Sequence, residues 1–138
     1  MRPVSRITIL GFRLGIFVLA GYWIALAVGT HLPAGLVPSG SVSDKTKHFW
    51  AFAVLTYLIL HVTRPGKPPF RYVFVAVCVT VYAALDEWTQ GAIPGRVPDV
   101  RDFLADISGM CLAIAAYATA RGIFRRRQNR QEITAGIR

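Results

Sequence analysis

Three ionisable residues in otherwise apolar segments are the strongest candidates for chemistry: His48, Glu87 and Asp106. Each lies near one end of a long apolar run. An imidazole beside two carboxylates can exchange protons, accept hydrogen bonds or orient a polar ligand. The alternative is a structural polar cluster that pairs with Arg96 and holds the surrounding helices together.

Two polar stretches, residues 39–48 and 86–102, interrupt the apolar sequence. The second holds four of the chain's seven acidic residues, and Pro94 with Gly95 disfavours a continuous helix through it. Together with Asp106, the stretches supply one predicted ligand site: Lys45, His48, Glu87, Gln90, Arg96, Asp102 and Asp106. Lys45 and Arg96 would bind a phosphate or carboxylate, while the carboxylates and the imidazole orient these cations or exchange protons.

Several nearby polar residues have simpler interpretations. Asp99 follows a proline and is a natural N-cap of the next helix, and Ser41 or Ser43 is a natural cap of an earlier one. Lys47 and Arg101 are interpreted as interfacial anchors.

No pattern along the chain indicates a metal or cofactor. His48, Glu87, Asp102 and Asp106 could hold a divalent metal, but no ligand spacing such as HExxH supports it. A Gly-x-Ser-x-Gly turn and CxxC pairs are also missing, so no metal and no cofactor are expected. Cys78 and Cys111 lie in apolar runs and are predicted to be buried packing residues. If the protein is an enzyme, Glu87 and His48 are the candidate general acid and base; the catalytic residues are otherwise unknown.

The composition indicates a membrane protein. The 138 residues allow one domain, 54% of them are hydrophobic, and the mean hydropathy is +0.44. The net charge of +9 is concentrated at the ends of apolar runs without an aromatic-basic face. Anionic lipids are therefore the expected partners, and nucleic acid is excluded.

These runs predict an all-α integral membrane bundle of four transmembrane helices in a single domain, residues 14–121. A span needs about 20 residues to cross the hydrocarbon core. A basic arm (1–13) precedes the domain and a basic tail (122–138), expected to fray past Arg127, follows it. The predicted spans are residues 14–33, 45–63, 71–90 and 102–121.

The distribution of charge predicts the orientation. Twelve basic residues lie in the arm, the 64–71 turn and residues 121–138, so both termini are expected to be cytoplasmic and both polar stretches extracytoplasmic. His48, Glu87 and Asp106 then lie at the same depth. A charge facing lipid costs about 2.5–3.5 kcal/mol at mid-bilayer, a cost that is avoided if the three side chains point toward one another.

The last predicted span carries its carboxylates on a stripe of small residues suited to close helix packing. The stripe consists of Asp102, Asp106, Gly109, Ala113, Ala116 and Ala120. The packed face and the polar face of this helix are therefore expected to coincide.

Four elements together resemble the VanZ-like family of small bacterial membrane proteins. The family pattern is D-K-x-x-H, E-x-x-Q, a Pro-Gly-Arg turn and D-x-x-x-N-x-x-G, seen here at Asp44–His48, Glu87–Gln90, Pro94–Arg96 and Asp102–Gly109. Asp106 stands where that pattern has asparagine. The family is named after a protein linked to resistance to teicoplanin, a glycopeptide that acts on the cell wall. The resemblance implies a multi-pass protein of the bacterial cell membrane with a role near envelope lipids or wall precursors.

The resulting functional hypothesis is an extracytoplasmic-facing site for an anionic envelope lipid or a lipid-linked wall precursor. The namesake adds a possible link to glycopeptide resistance. Two alternatives are a membrane hydrolase or transferase acting on a lipid-linked substrate, and a structural partner in a membrane complex or homo-oligomer.

Overall fold

Four helices make up the body of the chain. The computed structural model describes residues 8–9, 12–36, 42–63 and 68–136. The helices are α1 (Leu14–Thr30), α2 (Asp44–Val62), α3 (Pro68–Gln90) and α4 (Val100–Gly136). Before α1, the two-residue strands β1 (Thr8–Ile9) and β2 (Phe12–Arg13) pair antiparallel, and a 3-10 turn (Ala34–Leu36) follows α1. The prediction of an all-α fold is confirmed for the body of the chain.

Two of the described helices are long and apolar enough to cross a membrane, over Pro69–Gln90 in α3 and Val100–Thr134 in α4. Helix α1 is apolar but has 17 residues, and α2 has 19 residues with a polar first turn. Large apolar side chains remain exposed on the helices, including Ile24 (66% exposed), Trp50 (57%) and Val77 (57%). A helical bundle that exposes so much apolar surface is typical of a lipid environment.

Residues with short polar side chains stabilise the N-terminus of α2. Ser43 has an extended backbone and its hydroxyl accepts a hydrogen bond from the Thr46 N–H (3.2 Å), so it is the N-cap of this helix. The alternative cap, Ser41, lies outside the described residues. Asp44 in the first turn adds a favourable interaction with the helix dipole.

The link between α3 and α4 is a tight turn. Gly95 has a φ of 78°, a conformation that residues with a side chain rarely adopt. Asp99 then caps α4: its carboxylate accepts a hydrogen bond from the Arg101 N–H (2.8 Å), and its carbonyl accepts one from the Asp102 N–H (2.8 Å). The predicted capping role of Asp99 is confirmed. This link places the start of α4 beside the end of α3.

Helices α2 and α4 pack almost backbone to backbone at Gly109. A Cβ built there would collide with the carbonyl of Phe49 and lie 3.1 Å from the backbone N of Ala53. The predicted small-residue stripe of α4 is buried from Asp102 to Ala113. The prediction of a packed face is wrong for the rest of the stripe, because Ala116 and Ala120 are exposed.

The core lies between α2, α3 and α4, with a contribution from α1. Its fully buried members include Phe52, Leu55, Leu60, Val75 and Val79. Cys78 and Cys111 are exposed, so the prediction that they are buried is wrong. In an apolar environment the outer surface of a helix is apolar too, and an apolar run therefore does not indicate burial inside the protein.

Helix α4 continues well beyond the predicted span and ends at Gly136. The expectation that the tail frays past Arg127 is wrong. Arginine, glutamine and glutamate have high helix propensity, and residues 121–134 contain no proline. This exposed, basic extension is therefore favourable as a continuous helix.

Candidate functional site

Three helix ends meet at one end of the bundle. The first turns of α2 and α4 lie beside the last turns of α3, because α3 runs antiparallel to both. The polar residues that the sequence concentrates in these turns are thereby brought together.

His48, Glu87 and Asp106 form the centre of this polar end. The Nδ1 of His48 lies 3.0 Å from Asp106 Oδ1 and 4.0 Å from Glu87 Oε1. The 3.0 Å separation is that of a hydrogen bond between the imidazole and the Asp106 carboxyl group. The three residues are 5%, 8% and 0% exposed, respectively. Residues from three helices thus form one buried cluster, which we call the triad.

Glu87 is held in place by the backbone of the α3–α4 link. The Asp99 N–H donates a hydrogen bond to Glu87 Oε2 at 3.0 Å. The other oxygen, Oε1, faces His48 and has no hydrogen-bond partner among the described residues. The carboxylate is therefore oriented with one oxygen directed into the triad.

Lys45 lies beside the triad rather than in it. Its Nζ is 3.3 Å from Asp102 Oδ1 and 3.2 Å from Asp99 Oδ2. The hydrogen bond from the Arg101 N–H and then the ammonium of Lys45 lower the pKa of Asp99 below its ordinary value. The positive charge of Lys45 is thus shared between two carboxylates.

Gln90 joins a second buried cluster that the sequence did not predict. The Nε2 of Gln90 donates to Asp86 Oδ2 (2.8 Å), and the hydroxyl of Thr30 donates to Asp86 Oδ1 (2.9 Å). His31 extends the cluster to Thr89 through a 2.9 Å contact of Nε2. Asp86 is only 2% exposed and links α1 to α3. A carboxylate at the end of an apolar run was the available signal, since the same criterion selected Glu87 beside it.

Arg96, predicted to bind an anion, lies against the end of α1. Its Nε donates to the carbonyl of Leu32 (3.2 Å), its Nη2 donates to the carbonyl of Gly29 (3.5 Å), and its Nη1 lies 3.5 Å from Asp44 Oδ2. The last carbonyls of a helix lack partners within the helix, and Arg96 supplies donors to this region. The contacts with Leu32 and Gly29 span more than 60 residues, so no local pattern could have predicted them.

A cavity of about 320 Å³ opens between α1 and α2 at the same end. The side chains of Asp44, Lys47, His48 and Arg96 line its polar part. The rest of its lining is mostly apolar: Tyr22, Ala25, Leu26, Gly29, Thr30 and Ala51. Lys45 is not among these residues, whereas Lys47, interpreted from the sequence as an anchor, is one of them. The cavity therefore combines two cationic groups with an apolar wall.

The structure thus divides the predicted site into three adjoining parts. His48, Glu87 and Asp106 form the triad, with Lys45 and Asp102 beside it. Gln90 and Arg96 each bind a different neighbour, Asp86 and the end of α1.

In a comparison with protein families, residues 37–124 match the VanZ/LLP1 family. No curated protein and no solved structure matches the chain significantly. The matched segment covers more than half of the chain, begins before α2 and includes the triad, the Asp86 carboxylate and the α3–α4 link. The resemblance predicted from the four sequence elements is confirmed, and the chain belongs to the VanZ/LLP1 family.

Proposed function

We propose that this protein is a multi-pass membrane protein that binds the phosphate-bearing headgroup of an anionic cell-envelope lipid in the α1–α2 cavity. The ligand class includes lipid-linked wall precursors. The observation that carries the proposal is that two cationic residues, Lys47 and Arg96, both line the polar end of a cavity whose other walls are mostly apolar. A headgroup would lie between the two cations, and the start of an acyl chain would contact Tyr22 and Leu26.

The proposal includes four spans with both termini in the cytoplasm. Six of the seven acidic residues lie at the triad end of the helices or in the link beside it. Arg71 marks the opposite end, where its guanidinium lies 5.2 Å from the ring centroid of Tyr117 and donates to its hydroxyl at 3.3 Å. The basic extension of α4 continues from that end. This asymmetry supports an extracytoplasmic triad and cavity, since basic residues favour the cytoplasmic side.

Helix lengths are compatible with this topology. At 1.5 Å per residue, the 17 residues of α1 and the 19 of α2 extend about 26 and 28 Å, close to the hydrocarbon thickness of about 30 Å. The polar first turn of α2 would lie at the interface. The proposed site is therefore at headgroup level, where a lipid phosphate is found.

The charge of the cavity favours an anion but is partly neutralised. Asp44 lies 3.5 Å from Arg96 and 3.6 Å from Lys47, so one carboxylate is shared by two cations. A phosphate would add a second acceptor between them, and arginine can bind it through two parallel hydrogen bonds.

The experiment is native mass spectrometry with lipid identification on the full chain extracted gently from its membrane. We expect the wild type to retain an anionic lipid and Lys47→Gln to reduce its retention about fivefold, because one lysine near anionic headgroups contributes about 1 kcal/mol. Arg96→Gln should reduce retention as well. Asp44→Asn should increase it, since it removes the negative charge from the cavity.

Lys45→Gln is the matched control. Lys45 lies two residues from Lys47 on the same helix and carries the same charge, but it pairs with Asp99 and Asp102 outside the cavity. Its replacement should leave lipid retention unchanged. Equal retention by wild type, Lys47→Gln and Arg96→Gln, or retention of neutral lipids alone, would refute the proposal.

A further inference from the structure

Two oxygen atoms of the triad could bind a further group. Glu87 Oε1 and Asp106 Oδ2 are buried and have no hydrogen-bond partner in the part of the chain that the structure describes. One potential ligand atom from each of His48, Glu87 and Asp106 lies within 4.8 Å of those from the other two. Buried polar atoms are rarely left without a partner, so these two oxygens are candidates for binding an additional group.

The negative charges of the triad are also not balanced by nearby lysine or arginine side chains. Within the described residues, His48 is the basic partner in each ion pair made by Glu87 and Asp106. The nearby cations are paired elsewhere: Lys45 with Asp102 and Asp99, and Arg96 with Asp44. Two buried carboxylates therefore share one imidazole. Burial of an uncompensated charge is costly, and a cation at this position would offset the cost.

We propose that His48, Glu87 and Asp106 form a binding site for a divalent transition-metal ion of the Zn²⁺ or Mn²⁺ class. One imidazole nitrogen and two carboxylate oxygens suit such ions, whereas Mg²⁺ prefers oxygen ligands and retains its waters. Three protein ligands leave at least one position for water or for an oxygen of a ligand. The sequence predicted no metal because the three residues come from three helices and show no local spacing.

The distances are close to those that a metal site requires. With metal–ligand bonds of about 2.0–2.2 Å, neighbouring ligand atoms lie roughly 3.0–3.5 Å apart. The Nδ1 of His48 lies 3.0 Å from Asp106 Oδ1, the oxygen with which it already pairs, and 4.0 Å from Glu87 Oε1. Glu87 Oε1 would have to approach the imidazole nitrogen by about 0.5–1 Å. The Asp99 N–H on its other oxygen is the kind of outer hydrogen bond that orients metal ligands.

A second group of potential metal ligands lies at the same end, but its carboxylates already pair with cations. Asp44, His48 and Asp102 also lie close enough together to share an ion. However, Asp44 pairs with Arg96 and Lys47, and Asp102 pairs with Lys45. Asp102 Oδ1 also accepts no hydrogen bond within the described residues, but it lies 3.3 Å from the ammonium of Lys45. Glu87 and Asp106 have no lysine or arginine in their ion pairs among the described residues, so their charges select them as the ligands. His48 also lines the cavity, which gives an ion a route to the triad.

Metal uptake by the purified full chain tests the proposal. The protein in detergent is treated with a chelator, dialysed against Zn²⁺, Mn²⁺ or Mg²⁺, and analysed for bound metal by elemental mass spectrometry. We expect about one Zn²⁺ or Mn²⁺ per chain and weaker uptake of Mg²⁺. Glu87→Gln and Asp106→Asn should weaken binding by about 10–100-fold or more, since even changes to groups that only support a ligand have effects of this size.

Asp99→Asn is the control for a simple change in net charge. It removes a carboxylate at the same end of the bundle, keeps a residue that caps helices well and leaves the backbone N–H that binds Glu87. Metal binding by this variant should equal that of the wild type. Equal metal uptake by the Glu87 and Asp106 variants, or no uptake by folded wild-type protein, would overturn the proposal.

X-ray absorption spectroscopy of the Zn²⁺-loaded wild type keeps the proposal testable if a variant does not fold. The spectrum should show one imidazole, oxygen ligands and no sulfur. A sulfur ligand, which would indicate Cys78 or Cys111, would reject the triad as the site. The metal and lipid proposals can fail separately, because one depends on Glu87 and Asp106 and the other on Lys47 and Arg96.

Discussion

Replacement of Gly109 by alanine tests whether the close approach of α2 and α4 assembles the polar end of the bundle. A Cβ at this position would meet the Phe49 carbonyl and lie 3.0 Å from its carbonyl carbon and 3.1 Å from the backbone N of Ala53. These atoms belong to the backbone of α2 and cannot rotate away. The two helices would have to separate, and Asp106 would move away from His48.

Two opposing effects determine the magnitude. Alanine is favoured over glycine in a helix by about 0.8–1.0 kcal/mol. Overpacking of a tight interface typically costs about 1–3 kcal/mol, and a rigid backbone neighbour puts Gly109→Ala at the upper end or beyond. We therefore expect a net destabilisation of roughly 1–2 kcal/mol or more. Without the close contact, the same substitution would stabilise the helix, so the sign of the change identifies the contact.

Gly122→Ala provides the matched control in the same helix. A Cβ at Gly122 would meet nothing within 4 Å, so this variant should be neutral or more stable by about 0.5–1 kcal/mol. Equilibrium unfolding in detergent, followed by tryptophan fluorescence, measures both variants against wild type. If Gly109→Ala is as stable as Gly122→Ala, the described α2–α4 packing is incorrect.

Two further predictions concern the polar residues of α3 and the link after it. Asp86→Ala should lower the free energy of unfolding by about 1–3 kcal/mol, because it leaves the buried amide of Gln90 without its acceptor and removes the hydrogen bond from Thr30 that joins α1 to α3. Hydrogen exchange should then rise in α1, and unchanged exchange and stability would contradict the assigned contacts. Asp99 has a folded pKa below its ordinary value, so its ionised form adds stability above that ordinary pKa, and the contribution is lost as pH falls through the lowered value. Unfolding midpoints measured from pH 5 downward should fall less steeply in Asp99→Asn than in wild type, and identical slopes would exclude this contribution.

The sequence by itself determined the class of the protein and the location of its polar end. Long apolar runs require helices in lipid, since helices satisfy their own backbone hydrogen bonds there. His48, Glu87 and Asp106 could be singled out because an ionisable residue in such a run is costly unless it has a partner. Local signals also identified the caps at Ser43 and Asp99, because capping depends on residues only two or three positions apart.

The apolar composition of a segment did not determine which of its residues are buried. Cys78 and Cys111 are as compatible with an outward face as with the core, because lipid and protein interior are both apolar. The extent of α4 was also underestimated, since helix propensity continues past the apolar segment that defines the span.

Only the tertiary structure decided how the polar residues are paired. It placed Gln90 and Thr30 on Asp86, directed Arg96 to the carbonyls at the end of α1, and put Lys47 rather than Lys45 beside the cavity. These partners are separated by many residues, and the rotation of each helix about its axis selects among several polar groups of equal depth. The position of a residue along its helix follows from counting residues along the chain, whereas the rotation of the helix is set by side-chain packing between helices, such as that at Gly109, which a single sequence does not specify.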